Sequence, residues 1–232
     1  MQSSIIDPSA RLRMTNKKVN KLLTPTEMTN NSIAQLFNFL RLIATLKTTR
    51  RFKTVENIDG DSVADHTWRL AMFVFLAADE LKLDIDVLRA VKMALVHDLA
   101  EIITDDIDVK QQFLNKGLRE QKIEEEYKAI KEVIKVLSDQ QAEEMHKIWL
   151  EYREAKTAEA RFVIALDKME GLFTLIEAGP KALYLPPFIG TFGNEQIENF
   201  PDLKPIFKQL KAEMKKEYEQ AGIPWDSEIY EI

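Results

Sequence analysis

No cysteine occurs among the 232 residues, which excludes disulfides and thiolate metal sites and suits a reducing compartment such as the cytoplasm. Glycine and proline number only 7 and 8, so the chain has few natural breaks, a pattern that favours long helices with short connections. Strand signals are scarce. No apolar run approaches the roughly 20 residues needed to span a bilayer, and the first residues lack the apolar block of a secretory signal. A formal net charge of -6, with acids and bases interleaved, offers no general attraction to a nucleic-acid backbone. Neither a membrane nor a nucleic-acid polymer is therefore an expected partner.

The composition that remains, 45% hydrophobic and 30% charged, is ordinary for a globular chain. Residues 1–31 carry Arg11, Arg13, Lys17, Lys18 and Lys21 against Asp7 and Glu27. They read as a poorly ordered extension, with an organelle-targeting segment as the other reading. Apolar residues recur three or four apart from Ile33 to Leu46, which predicts a helix ending near Thr48–Arg51. Ser62 is placed to cap a helix that reaches about Lys82, and Asp84 or Asp86 to open one from Val87 to about Ile103. The stretch Ala90–Val96 is apolar nearly all round, which predicts a helix in the middle of a bundle. Further helices are expected over 111–137, from Ser138 to about Glu154, and over 157–178. Residues 181–201 hold three prolines and read as a long irregular loop before a last helix over about 202–221. The expected fold is all-α: one helical bundle over 32–178, with 179–232 as a loop and helix packed on the same domain.

Chemistry announces itself where polar residues interrupt apolar helices. His97, Asp98 and Glu101 lie inside the otherwise core-like run Met93–Ile103, and Asp167 ends the apolar run Phe162–Leu166. A buried, unpaired carboxylate costs roughly several kcal/mol, and a bound cation offsets that directly. His66 stands near the start of its own helix, and two of the three histidines thus fall in unusual settings. Taken singly, each residue has an ordinary structural reading; in order and context, they read as one set. His66, His97, Asp98 and Asp167 form a mixed nitrogen and oxygen donor set that suits one divalent transition metal (Mn, Co, Fe, Ni or Zn, with Mg a further candidate). Four protein ligands leave positions for a water and a phosphate oxygen, as metal-assisted hydrolysis requires. Asp65 reads either as a partner of the His66 imidazole or as a surface acid. His146 reads as solvent-facing, Trp68 and Trp149 as core or dimer contacts, and the charge run Lys116–Lys135 as a solvated face.

The stretches Ser62–Thr67, Ala94–Glu101 and Leu166–Glu170, in this order and spacing, resemble the HD-domain superfamily of metal-dependent phosphohydrolases. The similarity covers roughly residues 33–178 and, more narrowly, is to the 5'-deoxynucleotidase branch. It implies that His66, His97, Asp98 and Asp167 are the metal ligands and that Glu101 and Asp106 are further acids of the active site. Glu101 independently lies three residues after Asp98 and four after His97, on one helical face. The acid at Asp106 would position the attacking water or protonate the leaving oxygen. Here Asp105 replaces the glycine usual before that acid, and Asp108 replaces a usual proline. The pattern also has an arginine followed by an aromatic residue ahead of the first histidine, matched by Arg51 and Phe52, for the phosphate and for the sugar or base.

The resemblance implies removal of phosphate from nucleoside, and in particular deoxyribonucleoside, 5'-monophosphates, by a homodimer in the cytoplasm. The alternatives are an HD-type hydrolase of a nucleoside triphosphate, ppGpp or a cyclic dinucleotide, and a non-catalytic helical binding module. Triphosphate and alarmone pockets need more basic residues than Arg50, Arg51 and scattered lysines supply.

Overall fold

The structure, a computed structural model, describes residues 32–231 apart from 56, 57, 59, 60, 109, 110, 112, 114 and 184, so the expectations for 1–31 lie outside it. Its α-helices are α1 (Ser32–Ile43), α2 (Val63–Glu80), α3 (Val87–Val96), α4 (Glu101–Thr104), α5 (Lys116–Ile134) and α6 (Asp139–Glu154). They continue with α7 (Ala158–Glu177), α8 (Pro186–Thr191), α9 (Asn194–Asn199), α10 (Lys204–Gln220) and α11 (Ser227–Tyr230). Among the described residues no strand forms beyond an isolated antiparallel bridge between Arg50 and Ser62, and the protein is all-α. No described helix is long and apolar enough to cross a membrane. The chain divides into two compact units. The first holds residues through Arg51, Ser62–Ala64 and Asp98–Lys147; the second holds Phe52–Asp61, Asp65–His97 and the chain from Ile148 onward.

In the first unit α1 buries Phe39 and Leu42 and runs into a 3-10 turn, Ala44–Lys47, whose Leu46 is also buried. The Thr48 and Thr49 hydroxyls both donate to the Thr45 carbonyl and close the helix end where the sequence places it. The short α4 packs on this turn and on α5. The stripe Ile130, Val133, Ile134 and Leu137 is buried, while Ile123 and Tyr127 stay partly exposed. His146, expected to face solvent, is half-buried, and burial lowers its pKa with help from Lys131.

The second unit is built around α7. Phe162, Val163, Ala165, Leu166, Met169, Leu172 and Leu175 are buried on every side of it, against α3, α9 and α10. The helix expected in the middle, α3, instead buries Ala90, Met93 and Ala94 and leaves Leu88 and Leu95, seven residues apart, facing outward. Asp86 rather than Asp84 caps it, accepting from the Arg89 N–H at 2.9 Å. Thr157 caps α7 by accepting from the Ala160 N–H at 3.2 Å.

Helix α3 ends at Val96 instead of Ile103, and the cause is a tertiary hydrogen bond. The indole N–H of fully buried Trp149 donates to the His97 carbonyl at 3.1 Å. Past that point the Glu101 N–H bonds the Asp98 carbonyl three residues back, at 2.9 Å, and the chain turns before re-entering a helix. Residues 181–201 differ from the expected loop. Pro180, Pro186 and Pro201 open a 3-10 turn, α8 and a second 3-10 turn, because a proline in the first turn has the right φ and gives up no needed N–H. Gly190 is required by close approach, since a Cβ there would stand 2.7 Å from the Tyr230 ring.

Candidate metal centre

In the second unit three helices bring polar groups to one buried point. His66 comes from the first turn of α2, His97 from the end of α3 and Asp167 from the middle of α7, and all three are buried. The His66 and His97 Nε2 atoms are 3.2 Å apart, and Asp167 Oδ1 lies 3.3 Å from His66 Nε2. Tyr152 donates its hydroxyl proton to Asp167 Oδ2 at 3.2 Å, and Lys168 reaches the same oxygen at 2.8 Å. Burial alone would push the Asp167 carboxyl up, but Lys168 and then the imidazoles hold it well below the usual carboxylate range.

The remaining ring nitrogens decide what the cluster can hold. His97 Nδ1 is 2.8 Å from the Ala94 carbonyl, which only accepts, so Nδ1 carries the proton. His66 Nδ1 meets the buried carboxylate of Glu170, again an acceptor. In neutral imidazoles both Nε2 atoms then carry lone pairs, 3.2 Å apart, with Asp167 Oδ1 3.3 Å from that of His66. A single proton satisfies one such pair, whereas a divalent cation satisfies all three bases. The donor set fits a divalent cation.

Asp98, peptide-bonded to His97, keeps a carboxylate oxygen within 4.8 Å of a ring nitrogen of that neighbour. It opens the first unit, where a second polar cluster forms. Lys122 of α5 is largely buried and pairs with Glu101 Oε1 at 2.7 Å and Glu126 at 3.4 Å. Burial disfavours the Lys122 charge, but Glu101, then Glu126, Asp106 and Asp98, raise its pKa well above the ordinary lysine value. Burial, with the like charge of Asp98, drives the Glu101 carboxyl well above its usual range against the pull of Lys122. Glu101 Oε2 is buried without a hydrogen-bond partner. Burial pushes Asp106 up to about 6; Lys122 and Arg51 lower it, and Asp98 and Asp108 raise it. Asp105 adopts φ 63 and ψ 160, a backbone region that glycine alone enters freely.

Of the residues expected from the sequence, His66, His97 and Asp167 thus come together in one unit, and Arg51, Asp98, Glu101 and Asp106 share one field of charge in the other. Phe52 is buried and holds a positive φ of 50. Trp149 is core, while Trp68 is exposed. Three contributors escape the sequence. Glu170 rather than Asp65 faces His66 Nδ1; it closes the stretch Leu166–Glu170 that carries the resemblance, but nothing there assigns it a role. Arg69, one turn after His66, bonds Glu170 Oε1 at 2.7 Å. Lys122 has no signal, since it stands among other charged residues of the same helix and nothing in its local pattern sets it apart. Asp65 instead lines a cavity of about 470 Å³ with Ile58, Asp61, Trp68, Arg69 and Glu177.

An all-helical protein with a histidine and aspartate centre able to hold a cation is the class these features define. The HD domain profile matches residues 43–184, and the chain belongs to the HD-domain family. It is 36% identical over 182 residues to a 5'-deoxynucleotidase from Homo sapiens, covering 77% of this chain and 85% of that one. To a 5'-deoxynucleotidase from Dictyostelium discoideum it is 32% identical over 195 residues, covering 80% and 99%. A crystal structure of a predicted metal-dependent phosphohydrolase from Magnetospirillum magnetotacticum superposes with a TM-score of 0.61 at 27% identity, covering 82% of this chain and 93% of that one.

Proposed function

We propose that this protein is a metal-dependent phosphohydrolase that removes phosphate from nucleoside 5'-monophosphates, deoxyribonucleotides foremost. One observation carries the reading: His66 Nε2 lies 3.2 Å from His97 Nε2 and 3.3 Å from Asp167 Oδ1, with each imidazole's other nitrogen already committed. The 5'-deoxynucleotidase relatives that align over most of their length support the substrate class.

In this reading His66, His97 and Asp167 hold the ion, with Asp98, next in the chain to His97, as the fourth ligand. Mn, Co, Fe, Ni or Zn suits these donors better than Mg. When bound, a divalent cation supplies charge stabilisation for the phosphate and acidifies water. The chain's own groups do the rest. Arg51 offers a guanidinium to the non-bridging phosphate oxygens, and Phe52 flanks the sugar or base. Glu101, with Oε1 tied to Lys122, offers its unpartnered Oε2 for a hydrogen bond with water or substrate. Asp106, with its proton held to about pH 6, donates it to the leaving 5'-oxygen. A homodimer in the cytoplasm completes the proposal, and the exposed Trp68, Phe75 and Leu76 of α2 supply an apolar face for the second copy.

The test is phosphate release from dAMP, dTMP and AMP by protein loaded with cobalt or manganese, with and without EDTA. Release that needs the metal and favours deoxyribonucleotides is expected. Equal turnover by metal-free protein overturns the reading, and pyrophosphate or triphosphate release from nucleoside triphosphates replaces the substrate.

A further inference from the structure

The His66 imidazole is not held by its helix alone. Glu170 is 1% exposed and places one carboxylate oxygen on His66 Nδ1 and the other on Arg69 Nε, 2.7 Å away. Arg69 is then fixed at its far end, where Nη1 meets Glu177 Oε2 at 2.6 Å and Nη2 donates to the Thr174 hydroxyl. The helical spacing explains the match. His66 and Arg69 lie three apart on α2, and Glu170, Thr174 and Glu177 lie four and three apart on α7, so each set shares one face. Glu177 and half of this clamp reach solvent, whereas Glu170 and His66 do not.

We propose that Glu170, braced by Arg69, is the positioning residue of the metal centre: it fixes the ring orientation and tautomer of His66 so that Nε2 presents its lone pair to the ion. The inference rests on the metal reading above. A carboxylate on Nδ1 selects the tautomer that leaves Nε2 free, since Nδ1 must donate. The guanidinium bonds the second carboxylate oxygen, so the acid cannot swing away from the ring, and it supplies the positive charge that a fully buried carboxylate requires. Arg69 and Glu177 extend the brace to the wall of the 470 Å³ cavity, away from the lone pairs themselves. Nothing in the brace needs to touch substrate. Its effect is felt through His66.

Cobalt titration of the full chain tests this, read by calorimetry and by the visible absorption of bound Co(II), for wild type, Glu170→Gln, Arg69→Met, Arg69→Lys and Glu177→Gln. Loss of such an outer partner weakens metal binding roughly 10- to 100-fold. Glu170→Gln is expected in that range with an altered cobalt spectrum, Arg69→Met near the lower end, and Arg69→Lys partly restored. Glu177→Gln, at the exposed end, is expected to fold as wild type and to weaken binding only about two- to threefold, as the loss of an exposed ion pair does, a result that carries the test if the buried variants do not fold. Wild type that binds cobalt while Glu170→Gln and Glu177→Gln bind it equally well, with the same spectrum, overturns this inference alone. Wild type that binds no stoichiometric cobalt overturns the metal reading and this inference with it.

Discussion

His66 and His97 face each other through Nε2 atoms 3.2 Å apart, while Glu170 and the Ala94 carbonyl hold the two Nδ1 protons. Two lone pairs and the Asp167 carboxylate repel at that range unless a cation joins them. An ion that binds only the folded state adds about 2.7 kcal/mol when present at a hundred times its dissociation constant. Thermal unfolding is therefore expected to shift upward with added cobalt or manganese and downward with EDTA. His97→Ala is expected to remove both responses and to lower kcat/KM on dAMP by at least about a thousandfold, several kcal/mol of charge stabilisation being lost. A melting temperature indifferent to metal and chelator contradicts the assignment.

Asp105 shows a different kind of tension. Its φ of 63 with ψ of 160 costs an ordinary residue about 1–3 kcal/mol. Glycine enters the region freely but loses about 0.5–1 kcal/mol through the unfolded chain. Asp105→Gly is accordingly expected to stabilise the protein by about 1 kcal/mol in urea denaturation. It also loses the bond from the Asp106 N–H to Asp105 Oδ1 at 3.1 Å, which limits the gain. A destabilised variant would show that the aspartate side chain holds the turn more firmly than its backbone strains it.

Residues whose type contradicts their surroundings are legible in the amino-acid sequence alone. A histidine or acid inside an apolar run marks a compensated charge, and this picks out His66, His97, Asp98 and Asp167 together with the helices that carry them. What escapes is decided by tertiary contact. The end of α3 depends on the Trp149 indole donating to the His97 carbonyl from 52 positions along the chain, which no local pattern records. The prolines of 181–201 look like loop formers because a proline that starts a short helix has the same local signature as one that breaks it. Lys122 looks solvated because it stands in a charged stretch of α5, and the buried Glu101 and Glu126 distinguish it.

The Lys122 pair yields a coupling measurement. Lys122 Nζ stands 2.7 Å from Glu101 Oε1, with 12% and 3% side-chain exposure. Removing one partner of a buried pair leaves the other charge uncompensated, at about 3–5 kcal/mol. Lys122→Met is expected to destabilise by about 3 kcal/mol, and Lys122→Met with Glu101→Gln by less than the sum of the single changes. Urea titrations of the four proteins give the coupling directly. Strict additivity would mean that the two groups do not support each other.

Lys211 provides the pH dependence. It is buried on α10, its ammonium donates to the Gly190 carbonyl, and the Phe207 ring centre is 4.7 Å away. Burial lowers its pKa to about 7 from an ordinary 10.5. Between those values the unfolded chain binds a proton that the folded chain does not, so stability rises with pH across that window, by at most about 1.4 kcal/mol per unit. Below about 7 both states are protonated and the penalty is present in full; above about 10.5 it vanishes. Lys211→Met lacks the group and hence this slope. The stability of wild type relative to Lys211→Met, from urea denaturation at about pH 7, 8 and 9, is expected to increase at each step. A constant difference would place the Lys211 ammonium in contact with water.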